Sequence, residues 1–107
     1  VVLVNEFSAS GSEVLVGAII DHQRATVVGK KTFGKGSVNT LRELSDGSGL
    51  YFTTARWYTP NGTIIEGEGL EPHLTFDQPV DNAEDLQFDR AIEILENELG
   101  DLEEKQE

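Results

Sequence analysis

Val1-Val2-Leu3-Val4 places apolar side chains on both faces of one extended segment, and such a strand belongs between neighbours inside a sheet. Ser12 to His22 then reads as a helix. Val14, Leu15, Val16, Ala18, Ile19 and Ile20 make it apolar nearly all round, which predicts burial. A second short strand follows at Ala25 to Val28. Strand, helix, strand in this order predicts a right-handed parallel crossover. It also places the small-residue turn Ser8-Ala9-Ser10-Gly11 where a strand hands over to a helix. A chain that opens on an internal strand is expected to have lost the residues before it.

The rest of the chain is β-rich and then helical. Gly29 to Gly36 is a basic, glycine-bearing loop. Ser37 to Leu44 and Leu50 to Tyr58 are strands joined by the hairpin signal Ser45-Asp46-Gly47-Ser48. Pro60-Asn61-Gly62 and Glu66-Gly67-Glu68-Gly69 read as turns, and Leu74 to Phe76 as a last strand. Leu86, Ala91, Ile92, Ile94, Leu95 and Leu99 recur at helical spacing from about Ala83 to Leu99, with Gly100 as the expected stop. The fold class is mixed α/β (α+β). Residues 1–80 form the core, 81–100 a C-terminal helix of the same domain, and 101–107 an acidic, disordered tail.

The formal charge of −12 is uneven along the chain. Residues 1–80 carry nine acids and six bases, whereas residues 81–107 carry eleven acids and two bases. The acidity therefore describes the last segment more than the core, and it argues against nucleic-acid binding, which needs a basic face. The absence of cysteine excludes disulfides and thiolate chemistry. His22 and His73 share no metal-ligand spacing, and no metal or other cofactor is expected. No run approaches the ~18 apolar residues of a membrane-spanning helix.

Ser10-Gly11-Ser12-Glu13 fits the capping box S-x-x-E, which by itself would explain Ser10. The same position suits a nucleophile. Ala9 and Gly11 leave room for a substrate, and a helix N-terminus stabilises developing negative charge, so the Gly11 amide is a candidate oxyanion donor. Ser8 and Ser12 compete with Ser10 on this pattern. A serine needs a base, and Lys35, between Gly34 and Gly36, is one if burial keeps it neutral. Its surface reading is a solvated lysine. Asn39 falls on the same face of an extended segment as Lys35 and is placed to orient it, or else is a solvent-facing strand residue. Gly29 to Lys35 also matches the phosphate-loop pattern G-x-x-x-x-G-K, but Gly36 occupies the magnesium-binding position and a strand follows where a helix is required. Arg56-Trp57-Tyr58 reads as strand and interface, and His73 as a surface histidine.

Five blocks in order carry a family resemblance: Val4-Asn5-Glu6, Ser8 to Glu13, Val28 to Val38, Thr53 to Gly62, and Gly67 to Pro72. Together they resemble the C-terminal-processing peptidases, or tail-specific proteases, which are Ser-Lys endopeptidases. The resemblance covers about the first 75 residues. It implies Ser10 as nucleophile, Lys35 as general base, Gly11 as an oxyanion-hole donor and a crotonase-like spiral core. It also implies protein or peptide substrates with accessible C-termini, an extracytoplasmic location, and upstream parts that bind the substrate tail and complete the oxyanion hole. Without those parts the chain is expected to be inactive alone.

Two positions depart from the family pattern. Asn39 stands where glutamine is usual, and His73 where aspartate is usual. A truncated sheet edge would favour a homo-oligomer. The alternative reading is a non-catalytic interaction module on the same fold, with the acidic last helix docking a partner. Nucleotide binding ranks third.

Overall fold

The computed structural model describes residues 1–77 and 84–104, arranged as β1 (Val2–Val4), α1 (Gly11–Asp21), β2 (Val27–Gly29), β3 (Ser37–Glu43), β4 (Gly49–Arg56), β5 (Leu74–Thr75) and α2 (Leu86–Glu104). β2 lies between β1 and β5, and both pairings are parallel. The parallel crossover expected from the first 28 residues is therefore present. Its central position explains why Val27 and Val28 are completely buried. They join Val4, Val16, Ile65 and Leu70 among the buried residues, and Val2, Ile19 and Ile20 pack against that core. Each buried aliphatic side chain contributes roughly 1.5–3 kcal/mol.

β2 ends on Gly29 for a steric reason. Its φ is +134°, and a Cβ there would lie 1.9 Å from the Val4 carbonyl oxygen. Only glycine lets the chain turn at that point, so that Lys30 N–H donates to Val4 O at 3.0 Å and the basic loop starts beside β1.

The all-round burial expected of the first helix is not found. Glu13, Val16 and Gly17 are buried, but Leu15 is 62% exposed. Val16 meets the core through Val4, Ile65 and Leu70, and no described element covers the opposite side of α1.

β3 and β4 form the expected antiparallel hairpin. Its turn is closed by Asp46, whose Oδ1 accepts from Ser48 N–H at 3.0 Å and Ser48 Oγ at 2.6 Å. Every residue of β4 is exposed, so the hairpin projects from the core. The two later turns are also present, with Gly62 N–H donating to Thr59 O at 2.8 Å and Gly69 N–H to Ile65 O at 2.9 Å.

One expectation gains a role and another needs correction. His73 is exposed, yet its Nδ1 accepts from Val27 N–H at 2.9 Å. The imidazole supplies β2 with an acceptor just before β5 begins at Leu74. The last helix, in turn, does not stop at Gly100 but runs on to Glu104. Gly100 takes no left-handed conformation, and the cost of glycine in a helix, about 1 kcal/mol, is outweighed by the helix formers around it. The expected start near Ala83, the boundary at residue 80 and the last residues of the acidic tail, 105–107, lie outside the described residues. α2 packs against β1 and β2, with Gln87 Nε2 donating to Phe76 O at 2.8 Å.

Candidate active site

The chain passes from β1 to α1 through Asn5 to Ser10. Asn5 and Ser8 organise this turn: Asn5 N–H donates to Ser8 Oγ at 3.1 Å, Phe7 N–H to Asn5 Oδ1 at 3.0 Å, and Ser8 N–H to Asn5 O at 3.0 Å. Ser12 is exposed in the first turn of the helix. Ser10 stands apart from both. Its backbone has φ 55° and ψ −117°, a positive-φ conformation in a residue that is not glycine. Such a conformation costs on the order of 1–3 kcal/mol and concentrates at functional sites. Strained strand-to-helix turns of this type present the serine of nucleophile elbows.

The capping-box arrangement is present at Ser10 and Glu13, but only its glutamate half is a formed hydrogen bond. Ser10 N–H donates to Glu13 Oε2 at 3.0 Å, and the Ser10 side chain makes no cap hydrogen bond. The hydroxyl lies in the capping-box position beside the Glu13 amide without completing a cap hydrogen bond. Gly11 is exposed beside it, and a Cβ there would meet nothing within 4 Å, so the space over the turn is open.

Glu13 does far more than cap. Its carboxylate is completely buried and accepts four hydrogen bonds: Oε1 from Thr32 Oγ1 at 2.6 Å and Gly34 N–H at 2.7 Å, Oε2 from Ser10 N–H and from Lys35 N–H at 2.8 Å. A buried carboxylate is tolerated when its lone pairs are filled in this way. The next amide, Gly36 N–H, donates to Glu66 Oε2 at 2.7 Å. The backbone from Gly34 to Gly36 is thus held by two carboxylates. Phe33 N–H donates to Ser8 O at 3.0 Å, which brings the lysine loop directly against the serine turn. Thr32 extends the network to the Glu66–Gly69 turn, since Leu70 N–H donates to its Oγ1 at 2.8 Å.

Ser10 and Lys35 are therefore joined through one network, with Gly11 next to Ser10 in the chain, but Ser10 and Lys35 make no hydrogen bond to each other among the described residues. The Lys35 side chain is exposed. Lys30 is held by Glu6 at 3.7 Å and Asp77 at 3.3 Å, and Lys31 by Glu71 at 3.2 Å. Asn39 lies on β3, where its Oδ1 accepts from Thr53 Oγ1 at 2.7 Å. The hairpin register shifts between Val38 and Asn39, which leaves Thr54 as an extra residue on β4.

The phosphate-loop pattern has no phosphate cradle behind it. In such a loop the amides before and after the lysine point at an anion. Here the amides of Gly34, Lys35 and Gly36 already donate to carboxylates, whose negative charge opposes a second anion.

The long reach of Glu13 and the part played by Glu66 are what sequence reasoning missed. S-x-x-E located Glu13 but described only its local bond to Ser10. Its contacts with residues 32–35 depend on how β2 delivers the lysine loop. Glu66 lay inside a turn signal, and nothing in that signal ties it to Gly36.

Comparison with known proteins agrees with this geometry. Residues 1–76 match peptidase family S41. A probable CtpA-like serine protease of Staphylococcus aureus (strain bovine RF122 / ET3-1) is 54% identical over 78 residues, covering 73% of this chain and 16% of the relative. A carboxy-terminal-processing protease of Bartonella bacilliformis is 49% identical over 80 residues, 75% of this chain and 18% of the relative. Among solved structures, a photosystem II D1 C-terminal processing protease superposes with a TM-score of 0.68 at 48% identity, over 70% of this chain and 19% of that one. The chain thus spans less than a fifth of each of these proteins. The chain belongs to peptidase family S41.

Proposed function

We propose that this chain carries the Ser-Lys centre of a serine endopeptidase that cuts proteins near their C-termini. Ser10 Oγ attacks the scissile carbonyl carbon as its proton passes to Lys35 Nζ. The new C–O bond gives a tetrahedral oxyanion, to which the Gly11 amide donates. Lys35 returns the proton to the departing amine, leaving an acyl ester on Ser10. Water, deprotonated by Lys35, then releases the new carboxyl terminus and restores the serine.

The observation that carries this reading is the shared anchor: the Ser10 and Lys35 backbones donate to one oxygen of Glu13, which fixes the nucleophile turn and the lysine loop as one unit. The strained backbone of Ser10 supports it. Asn39 serves as a positioning residue for Lys35. Its amide nitrogen is free to act through water, its oxygen being held by Thr53.

A neutral lysine must be shielded, and Lys35 is exposed within these 107 residues. Residues outside the chain supply that cover and the second oxyanion donor, so the isolated chain is inactive. Losing one such donor alone costs ~10²–10³ in rate. The substrates are extracytoplasmic proteins with accessible C-terminal tails.

The test is cleavage of a protein with an exposed tail by the longer enzyme that contains this chain. Ser10→Ala and Lys35→Ala are each expected to abolish it without unfolding the protein, and the 107-residue chain alone to cleave nothing. Full activity in either variant overturns the dyad. The exposure of Lys35 favours one alternative, an interaction module on the same fold, and retained binding with no cleavage by the longer protein would establish it.

A further inference from the structure

α2 lies beyond the residues matched to the peptidase family, which end at 76. Its apolar residues form two strips with different fates. One strip faces the body of the protein: Ala91 is buried and Leu86 and Ile94 are half-buried, with the polar Gln87 and Arg90 half-buried beside them. The other, Phe88, Ile92, Leu95, Leu99 and Leu102, remains exposed, with Phe88 at 52%, Leu99 at 60% and Leu102 at 55%.

The spacing along the exposed strip is 4, 3, 4, 3. That is a mean period of 3.5 residues, the spacing of a coiled-coil seam, with Ile92 and Leu99 at a positions and Phe88, Leu95 and Leu102 at d. Apolar residues at this period keep one face turned toward a partner helix over the whole length of the strip. The flanking positions set which helix is accepted. Within α2, Asp89, Glu96 and Glu103 occupy e positions and Ala91, which is buried, and Glu98 occupy g positions, so no base stands at either. Arg90, the one base of α2, is paired with Glu93 on the same helix.

This pattern disfavours a second copy of the chain. In a parallel pair the g residues meet the e residues of the partner, and in an antiparallel pair e meets e and g meets g. In the antiparallel arrangement two copies of α2 bring acids against acids, and in neither do they find a base. α2 as a whole contains seven acidic residues and one basic residue.

We propose that α2 is a docking surface for a basic amphipathic helix of another protein, with apolar residues at its a and d positions and Lys or Arg at e and g. Leucines and isoleucines of the partner fill the spaces between Phe88, Ile92, Leu95, Leu99 and Leu102, while its bases meet Asp89, Glu96 and Glu98. The proposal stands on α2 alone and does not depend on the chemistry at Ser10.

The test is calorimetric titration of the full chain, and of the longer protein that carries it, with two synthetic four-heptad peptides. Both have Ile at a and Leu at d; one has Lys at e and g, the other Glu. The basic peptide is expected to bind both proteins at least tenfold more tightly than the acidic one, with the gap narrowing as salt rises. Leu99→Ser, at an exposed position away from the sheet, is expected to weaken that binding at least tenfold while circular dichroism stays unchanged. Glu96→Lys with Glu98→Lys, both at exposed positions, is expected to invert the preference between the peptides.

Equal affinity for the two peptides, or binding of neither, overturns the proposal. So does basic-peptide binding that survives Leu99→Ser, which is general attraction to an acidic surface. Binding by the chain but not by the longer protein overturns it by showing that the seam is covered from within. Dimers of the chain in sedimentation that Leu99→Ser abolishes would assign the seam to a second copy instead.

Discussion

Ser10 and Lys35 are tied to the same atom: Glu13 Oε2 accepts from the Ser10 N–H at 3.0 Å and from the Lys35 N–H at 2.8 Å. The proposed nucleophile turn and the lysine loop are thereby set relative to each other by one buried side chain. Removing it leaves buried donors without an acceptor, which is more costly than losing the bonds themselves. Glu13→Ala is expected to destabilise the chain by about 3–5 kcal/mol in urea unfolding. Glu13→Gln should recover only part of this, because its amide nitrogen faces donors. A loss below about 1 kcal/mol for Glu13→Ala would show that the network contributes no more than one ordinary hydrogen bond.

The backbone of Ser10 gives a separate stability test. Since the hydroxyl makes no cap hydrogen bond, Ser10→Ala should stay within about 0.5 kcal/mol of the native chain, whereas losing a true N-cap costs ~1 kcal/mol. Ser10→Gly is expected to be at least as stable as native, because glycine relieves the strain of φ 55°. Parallel urea titrations of the two variants check this, and a destabilised Ser10→Ala would return the hydroxyl to a capping role.

His73 has a structural role at the position where the family resemblance implied aspartate. What the position requires is an acceptor for Val27 N–H, and the imidazole Nδ1 provides one at 2.9 Å. A carboxylate there would be an acceptor of the same kind. His73→Ala should therefore cost about 1–2 kcal/mol, while His73→Asp should remain close to native. Equal losses in both variants would mean that the ring acts through its bulk.

Asp21 links stability to acid. The Thr59 hydroxyl, and next the Asn61 N–H at 2.8 Å, favour its charged form and lower its pKa. A folded pKa below the unfolded value contributes stability that is present above the unfolded pKa and lost as pH falls through the folded one. The advantage of the native chain over Asp21→Asn should therefore shrink as pH drops below about 4. Unfolding curves of both proteins between neutral and strongly acidic pH measure it, and a constant difference would remove the linkage.

Local signals made most of the fold readable. Val1 to Val4, the hairpin turn at Ser45–Ser48 and the apolar spacing after Leu86 each point to the element that forms there. The exposure of Leu15 was not readable, because apolar patterning reports what needs cover and says nothing about which residues provide it. Gly100 misled for a different reason: glycine ends a helix when it adopts a left-handed conformation, and the residue alone does not reveal whether it does. At the candidate site, Ser10, Gly11 and Lys35 were singled out by pattern and resemblance, and their roles are proposals. The bonds that join them were hidden because each spans some twenty residues or more in sequence, as from Glu13 to Lys35 and from Gly36 to Glu66.

Gly34, Lys35 and Gly36 donate in succession to charged oxygens at 2.7, 2.8 and 2.7 Å. Protons held this closely to carboxylates are deshielded and exchange slowly with solvent. The lysine loop therefore carries its own spectroscopic label: three adjacent amide signals, shifted downfield, report whether the site is assembled in any variant, fragment or complex, with no substrate needed.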